Sequence, residues 1–150
     1  MSNWSKLTKS YVLATEKMRW QFICLRACCL LACIRDNPKK RSSYLKGGAK
    51  CVRLLRKRKD SAFRCYGDVF EVLFAIQANS YVAPGRWEAA LRRLDDQHQR
   101  LYATALRWQM AIHQGDEEGC ERAKQQFMDR GVVDPERLMN ILFPLPSGSR

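Results

Sequence analysis

Apolar side chains recur at every third or fourth position along most of the chain, a spacing that places them on one face of an α-helix. No stretch shows the strict alternation of apolar and polar residues that is typical of a half-buried β-strand. The pattern predicts an all-α fold class, a single compact bundle of about five to six helices. A chain of 150 residues fits one domain. We place that domain at residues 1–145 and expect a disordered tail at 146–150.

The first predicted helix covers about residues 4–35. Asn37-Pro38 ends it, because the residue before a proline is pushed out of the helical region. Fifteen of its residues, at positions 20–34, are apolar apart from one glutamine and one arginine. A bilayer-spanning helix needs roughly 20 such residues. We therefore expect a buried core helix and not a membrane anchor.

The second and third predicted helices differ in the character of their exposed faces. The second helix is strongly basic, and Gly47-Gly48 leaves its start open, since the helix begins either before the two glycines or only at Gly48. The third covers residues 61–79, with Asp60 or Ser61 as its N-cap. Its core stripe is rich in aromatic residues: Phe63, Tyr66, Phe70, Leu73, Phe74 and Ile76.

The fourth predicted helix is the longest regular pattern, with Pro84 in its first turn and Gly115 at its exit. Its apolar positions follow steps of four and three, the spacing of a coiled-coil or bundle seam. The seam consists of Trp87, Leu91, Leu94, His98, Leu101, Ala105, Trp108 and Ile112. We expect it either to close the core of the monomer or to recruit another copy, with His98 fixing register or partner.

Two short helices complete the pattern. The fifth covers about residues 117–130, preceded by Asp116 and followed by Gly131. The last one has Asp134 as its N-cap and Pro135 at its first position, and it ends before Pro144.

Charge is distributed unevenly over this helical pattern. The formal net charge is +12, yet residues 1–70 contain 17 Lys and Arg against 4 Asp and Glu, whereas residues 71–150 contain 10 against 11. Within residues 39–59 there are ten basic residues and no acidic residue. On a helical wheel, Lys46, Lys50, Arg53 and Lys57 fall within a sector of about 60°. Cys51, Val52 and Leu55 fall on the opposite side, beside Tyr44.

Such a line of like charges repels itself unless a polyanion neutralises it. The basic segment therefore predicts nucleic-acid binding, against the alternative of a solvated basic surface without a partner. The candidate nucleic-acid contacts are Lys39, Lys40, Arg41, Lys46, Lys50, Arg53, Arg56, Lys57, Arg58, Lys59 and, on the fourth helix, Arg107.

A secondary basic stripe of Arg86, Arg93 and Arg100 recurs with Arg107 at intervals of seven residues. A planar guanidinium matches phosphate oxygens well. The competing interpretation is a solvated face that neutralises itself, because Glu88 lies four residues before Arg92 and Asp96 four before Arg100. Arg107 has no acid four residues away, and it is for that reason the strongest candidate of the stripe.

The seven cysteines do not form a recognisable metal or disulfide pattern. Their number is odd, and four of them, Cys24, Cys28, Cys29 and Cys33, are crowded into one predicted helix. The first two share one face and the last two another, so the four thiolates cannot converge on a tetrahedral ion. We expect small core side chains and free thiols in a reducing, intracellular compartment.

Catalytic patterns have no support in the sequence. His98 and His113 lack carboxylate or cysteine partners at a matching spacing, and Gly47-Gly48-Ala49-Lys50 lacks the P-loop spacing. We expect no enzyme activity, no metal, no cofactor and no small-molecule substrate. Trp20 and Tyr44 adjoin basic residues and are the candidates for base stacking, although core packing is the stronger expectation for both.

Together these observations predict a non-enzymatic protein that contacts the phosphate backbone and reads little sequence. The partner is RNA or DNA, with RNA slightly favoured by analogy with helical subunits of ribonucleoprotein complexes. We also expect a homo-oligomer or a larger complex. The rival is a viral, phage or host interaction module whose basic face docks on an acidic protein. The two basic clusters weakly resemble a two-part nuclear import signal, which would matter in a eukaryotic cell or its virus.

Overall fold

The computed structural model describes residues 16–57 and 61–144, and every structural statement below concerns that part of the chain. Within these two ranges there are seven α-helices, one 3-10 helix and no β-strand. In chain order they are α1 (Glu16–Asp36), the 3-10 helix (Pro38–Lys40), α2 (Arg41–Arg56), α3 (Ser61–Gln77), α4 (Pro84–Asp96), α5 (Arg100–Gln114), α6 (Glu117–Met128) and α7 (Pro135–Leu142). The all-α prediction is confirmed, whereas the predicted five to six helices are too few.

Several predictions fall outside the described residues. These are the start of the first helix, the possible N-cap at Asp60, the contacts at Arg58 and Lys59, and the tail at 146–150. The predicted end of the first helix is confirmed, since α1 ends at Asp36, immediately before Asn37-Pro38.

The core is built from the apolar stripes of all seven helices. Ala27, Leu30 and Leu31 of α1 are at most 2% exposed, so the apolar run is a core helix as predicted. The aromatic stripe of α3 is likewise packed in the core, with Phe70 and Phe74 buried. None of the described helices is sufficiently long and apolar to cross a membrane.

The predicted fourth helix is wrong in one respect, because the chain breaks it into α4 and α5. His98 has φ 55°, in the left-handed region that ends a helix. The amide of His98 donates to the Asp95 carbonyl (2.9 Å), and that of Gln99 donates to the Leu94 carbonyl (2.8 Å). This is the bonding pattern of a Schellman motif. His98 is exposed and Leu101 is 41% exposed, so neither is a seam residue.

The break folds the seam back on itself. The ring of Trp87, near the start of α4, lies 6.0 Å from that of His113, near the end of α5, so the two helices run antiparallel. Trp87, Leu94, Ala105 and Trp108 are buried within this chain. The buried part of the seam therefore closes the core of this chain, which is one of the two predicted alternatives.

The other helix ends follow the predicted local chemistry. Gly115 and Gly131 have φ 70° and 80° and end α5 and the turn after α6. The Asp116 carboxylate accepts a hydrogen bond from the Gly119 amide (2.8 Å), and that of Asp134 accepts one from the Arg137 amide (2.9 Å).

Two adjacent glycines set the position of α2. The helix begins at Arg41 and continues through Gly47-Gly48. Of the two predicted alternatives, the start before the glycines is therefore correct. A Cβ atom on Gly48 would lie 2.5 Å from the Phe74 ring of α3, and one on Gly47 would lie 3.2 Å from Leu30 of α1. The glycines are thus sites of close helix packing on both sides of α2 and not a helix boundary.

Candidate nucleic-acid interface

The two faces of α2 have the orientation that the sequence predicted. Cys51, Val52 and Leu55 are buried against the core. On the opposite side four cations are exposed: Lys46, Lys50, Arg53 and Lys57. We call these four residues the basic face. The apolar side therefore fixes the helix, while the basic side projects into solvent.

The cations of the basic face have no acidic partner in the described part of the chain, where none of their charged nitrogens lies within 4.0 Å of a carboxylate oxygen. The same holds for Lys39 and Lys40, which are exposed in the 3-10 helix just before α2. From Lys46 to Lys57 the basic face extends about 16 Å, at 1.5 Å rise per residue.

Arg41 has a different role from its basic neighbours. Its Nε donates to the Gln77 carbonyl oxygen (2.7 Å), and its Nη2 donates to the same oxygen and to Asn79 Oδ1 (2.9 Å). Gln77 is the last residue of α3, and its terminal carbonyl lacks a partner within the helix. Arg41 therefore joins the start of α2 to the end of α3.

Arg56 is held by two acids of α3. Its Nε lies 3.2 Å from Asp68 Oδ1, and its Nη1 lies 2.9 Å from Glu71 Oε1. Two members of the predicted stripe join the same acids from α4: Arg93 pairs with Asp68, and Arg86 Nη1 lies 3.4 Å from Glu71 Oε2. The Asp68 side chain is only 13% exposed. These five residues form an ionic network that connects α2, α3 and α4.

The arginine stripe does not exist as a single line, because the break at His98 separates its first two members from its last two. Arg107, selected because it lacks an acid four residues away, has its Nη2 2.6 Å from Asp95 Oδ2. Asp95 lies twelve residues earlier and reaches Arg107 only because α5 folds back on α4. Asp96 and Arg100 lie in different helices, so their predicted pairing within one helix is wrong.

Sequence reasoning missed the ionic network, although one signal was present. Asp68 and Glu71 are the only acids in residues 61–79, and they lie three positions apart on a mostly apolar helix. That spacing places them on one face, where they act as a unit. The cations that meet them lie 12 to 25 residues away in the chain. The helical repeat of apolar positions carries no information about contacts at that separation.

The aromatic stacking candidates are both used in packing. Trp20 is 6% exposed, and its ring lies 6.1 Å from that of Phe63. Tyr44 is half-buried against the core. The expected core packing is confirmed for Trp20, whereas Tyr44 is only partly buried and base stacking there stays a prediction.

The cysteine-rich segment of α1 is split between core and surface. Burial raises the pKa of the Cys24 and Cys28 thiols to about 12, with the neighbouring thiols adding to the effect. Both remain protonated near neutral pH, the form that is neither nucleophile nor metal ligand. Cys29 lies on the exposed side. Among the described residues, no group of three or more His, Cys, Asp or Glu side chains is arranged to hold a metal ion.

Comparisons with known proteins returned no match for this chain, whether against family models, curated sequences or solved structures.

Proposed function

We propose that this is a non-enzymatic nucleic-acid-binding protein that contacts the phosphate backbone of RNA or DNA through the basic face of α2. The observation that carries the proposal is the exposure of four aligned cations that have no acidic partner in the described chain. Lys39 and Lys40 extend this surface at the start of α2. The proposed site also keeps Arg58 and Lys59, which continue the basic segment in sequence.

The ion pairs within the molecule reduce the number of residues that we expect to contact nucleic acid. Arg56, Arg86, Arg93 and Arg107 already pair with carboxylates, so a phosphate would have to compete with a bound acid at each of them. Arg41 is held by the end of α3. These residues position helices in our proposal and do not contact nucleic acid directly.

The geometry of the basic face suits a polyanion of regular charge spacing. Its length of about 16 Å corresponds to the axial rise of about five nucleotides in one strand of a duplex, at 3.4 Å each. Three of its four cations are lysines, which bind phosphate as point charges without a fixed fork geometry. Such contacts position a backbone and carry no direct information about base sequence.

The test is the salt dependence of binding. We would measure the affinity for a fluorescent single-stranded RNA 20-mer, and for a DNA duplex of equal length, at several salt concentrations. A variant with Lys46→Gln, Lys50→Gln, Arg53→Gln and Lys57→Gln should keep its fold, because exposed substitutions usually change stability by about 0.5 kcal/mol or less. Its slope of log affinity against log salt should be shallower by about 3, at 0.7 to 0.9 per lost phosphate contact.

A charge-matched variant provides the control. It replaces four basic residues of α4 to α7 by glutamine: Arg92, Arg122, Lys124 and Arg137. Both variants lower the net charge by four, so the control should lose far less of the slope. Equal slopes for the parent and the basic-face variant would contradict the proposal. Docking on an acidic protein would then be the better function for this face.

A further inference from the structure

An open groove lies between α2 and α3, directly beside the basic face. Its volume is about 580 Å³. Leu45, Ala49 and Val52 of α2 form one apolar wall. Phe74 and Ala75 of α3 form the other, with Ala78 beyond the end of that helix. The groove depends on the close packing described above, because the bare backbone of Gly48 lets the Phe74 ring lie against α2.

The rim of the groove is cationic. Arg53 and Lys57 belong to both the groove and the basic face, and Arg56 lines the groove between them. The groove therefore combines an apolar floor with two cations, Arg53 and Lys57, that have no acidic partner in the described chain. These two cations lie about one helical turn apart on α2. A ligand that matches it is anionic at one end and apolar and flat at the other.

We propose that this groove receives an unpaired nucleobase of a single-stranded nucleic acid, while the adjacent phosphates contact Arg53 and Lys57. The proposal rests on the proposed function. It adds that the protein binds a single strand that carries bases more tightly than an abasic strand with the same phosphates. The base buries its apolar face on the accessible apolar lining of the groove, Leu45, Ala49 and Ala75, and the planar guanidinium of the exposed Arg53 stacks on its outer face.

Glu71 favours a nucleobase over an acidic protein segment in this groove. Glu71 lines the groove, and its side chain is 30% exposed. Arg56 and Arg86 each occupy one of its oxygens, which leaves further acceptor positions, since a carboxylate accepts about four hydrogen bonds. Base edges carry N–H donors that can use these positions, whereas the carboxylates of an acidic helix would be repelled.

A duplex is a poorer ligand for the same reason. Its bases are stacked and paired, and extruding one costs a few kcal/mol. The cationic rim alone attracts any nucleic acid. The groove and the basic face therefore make separable contributions to binding affinity. The basic face sets the salt dependence, and the groove sets the preference for an exposed base.

The experiment compares two fluorescent DNA 12-mers, oligothymidylate and an abasic strand with the same number of phosphates. The wild-type protein should bind oligothymidylate about tenfold more tightly or better, as expected for one base held on a side-chain platform. The salt slopes of the two strands should be equal, because their phosphates are equal in number. This comparison needs no variant, so it stands even if a substitution disturbs folding.

A groove-filling variant, Ala75→Leu with Ala78→Leu, then tests the location. Both side chains line the groove and neither is fully buried. The variant should bind oligothymidylate as weakly as the abasic strand, and keep the parent salt slope and helical circular dichroism. A folded variant that still binds oligothymidylate more tightly than the abasic strand would overturn the groove as the base site.

The two proposals fail in different ways. If the wild type binds both strands equally and with a steep salt slope, the nucleobase site is overturned and the proposed function stands. If neither strand binds, the nucleobase site is overturned, and if the RNA 20-mer and the DNA duplex do not bind either, the proposed function fails as well. If, in addition, a leucine-rich acidic peptide binds the parent and not the groove-filling variant, the groove belongs to a protein partner, and the nucleobase proposal is overturned.

Discussion

At the scale of single residues, glycine can mark the end of a helix or allow two helices to pack closely, and the local sequence does not distinguish these two roles. Gly47-Gly48 left the start of α2 open, because glycine in a helix costs about 1 kcal/mol relative to alanine. In the fold, both glycines lie inside a continuous helix, where they allow α2 to approach Leu30 and Phe74. A packing role of this kind depends on neighbours that lie 17 or more residues away in the chain. Helix propensity alone cannot show it.

Gly48→Ala should therefore lower the free energy of unfolding although alanine is the better helix former. The added methyl meets the Phe74 ring at 2.5 Å. Overpacking of this kind typically costs about 1–3 kcal/mol, which outweighs the gain in helix propensity. Urea unfolding measures the change. Gly85→Ala is the control: nothing lies within 4 Å of its added methyl, so stability should stay equal or rise. A Gly48→Ala protein more stable than the parent would contradict the packing role.

At the scale of helices, the sequence predicted most boundaries from local chemistry and missed one. Proline, aspartate caps and glycine exits marked the limits of α1, α6 and α7 correctly. The break at residues 97–99 has no glycine, because His98 takes the left-handed position that glycine or asparagine usually fills. In the sequence the steps of four and three continue across the break, although His98 and Leu101, the two positions at the break, are exposed and do not belong to the core. Periodicity could therefore not separate them.

His98→Gly should raise the free energy of unfolding by up to about 1 kcal/mol, because glycine adopts φ 55° without the cost that a Cβ atom imposes. His98→Leu should lower it, since leucine gains no burial at an exposed position and keeps the strain. If His98 lay in a continuous buried seam, His98→Leu would instead raise the free energy of unfolding. Asn79→Gly is the matched control at φ 53°, with a smaller gain because asparagine tolerates this region better. Urea midpoints that rank leucine above histidine and glycine would contradict the break.

At the scale of the whole molecule, the sequence indicated where positive charge is concentrated, and the fold shows which charges are neutralised. The excess lies in residues 1–70. Arg56, Arg86 and Arg93 meet Asp68 and Glu71 only after α2, α3 and α4 have packed together. The basic face was predictable because one helix determines it. The network was not, because it joins three helices. On α2, four cations stay exposed and have no acidic partner among the described residues, and together they form a short, dense cationic surface.

Lysine footprinting tests the central claim most directly, since it maps contact on the unmodified chain. Acetylation of each lysine would be followed by mass spectrometry with and without a single-stranded RNA 20-mer at low salt. Lys124 of α6, near Glu136, is an internal reference remote from α2 in the sequence. The account predicts that RNA slows the acetylation of Lys46, Lys50 and Lys57 several-fold and leaves Lys124 unchanged. Unchanged rates at those three lysines under conditions where RNA is bound, or equal protection of Lys124, would contradict it.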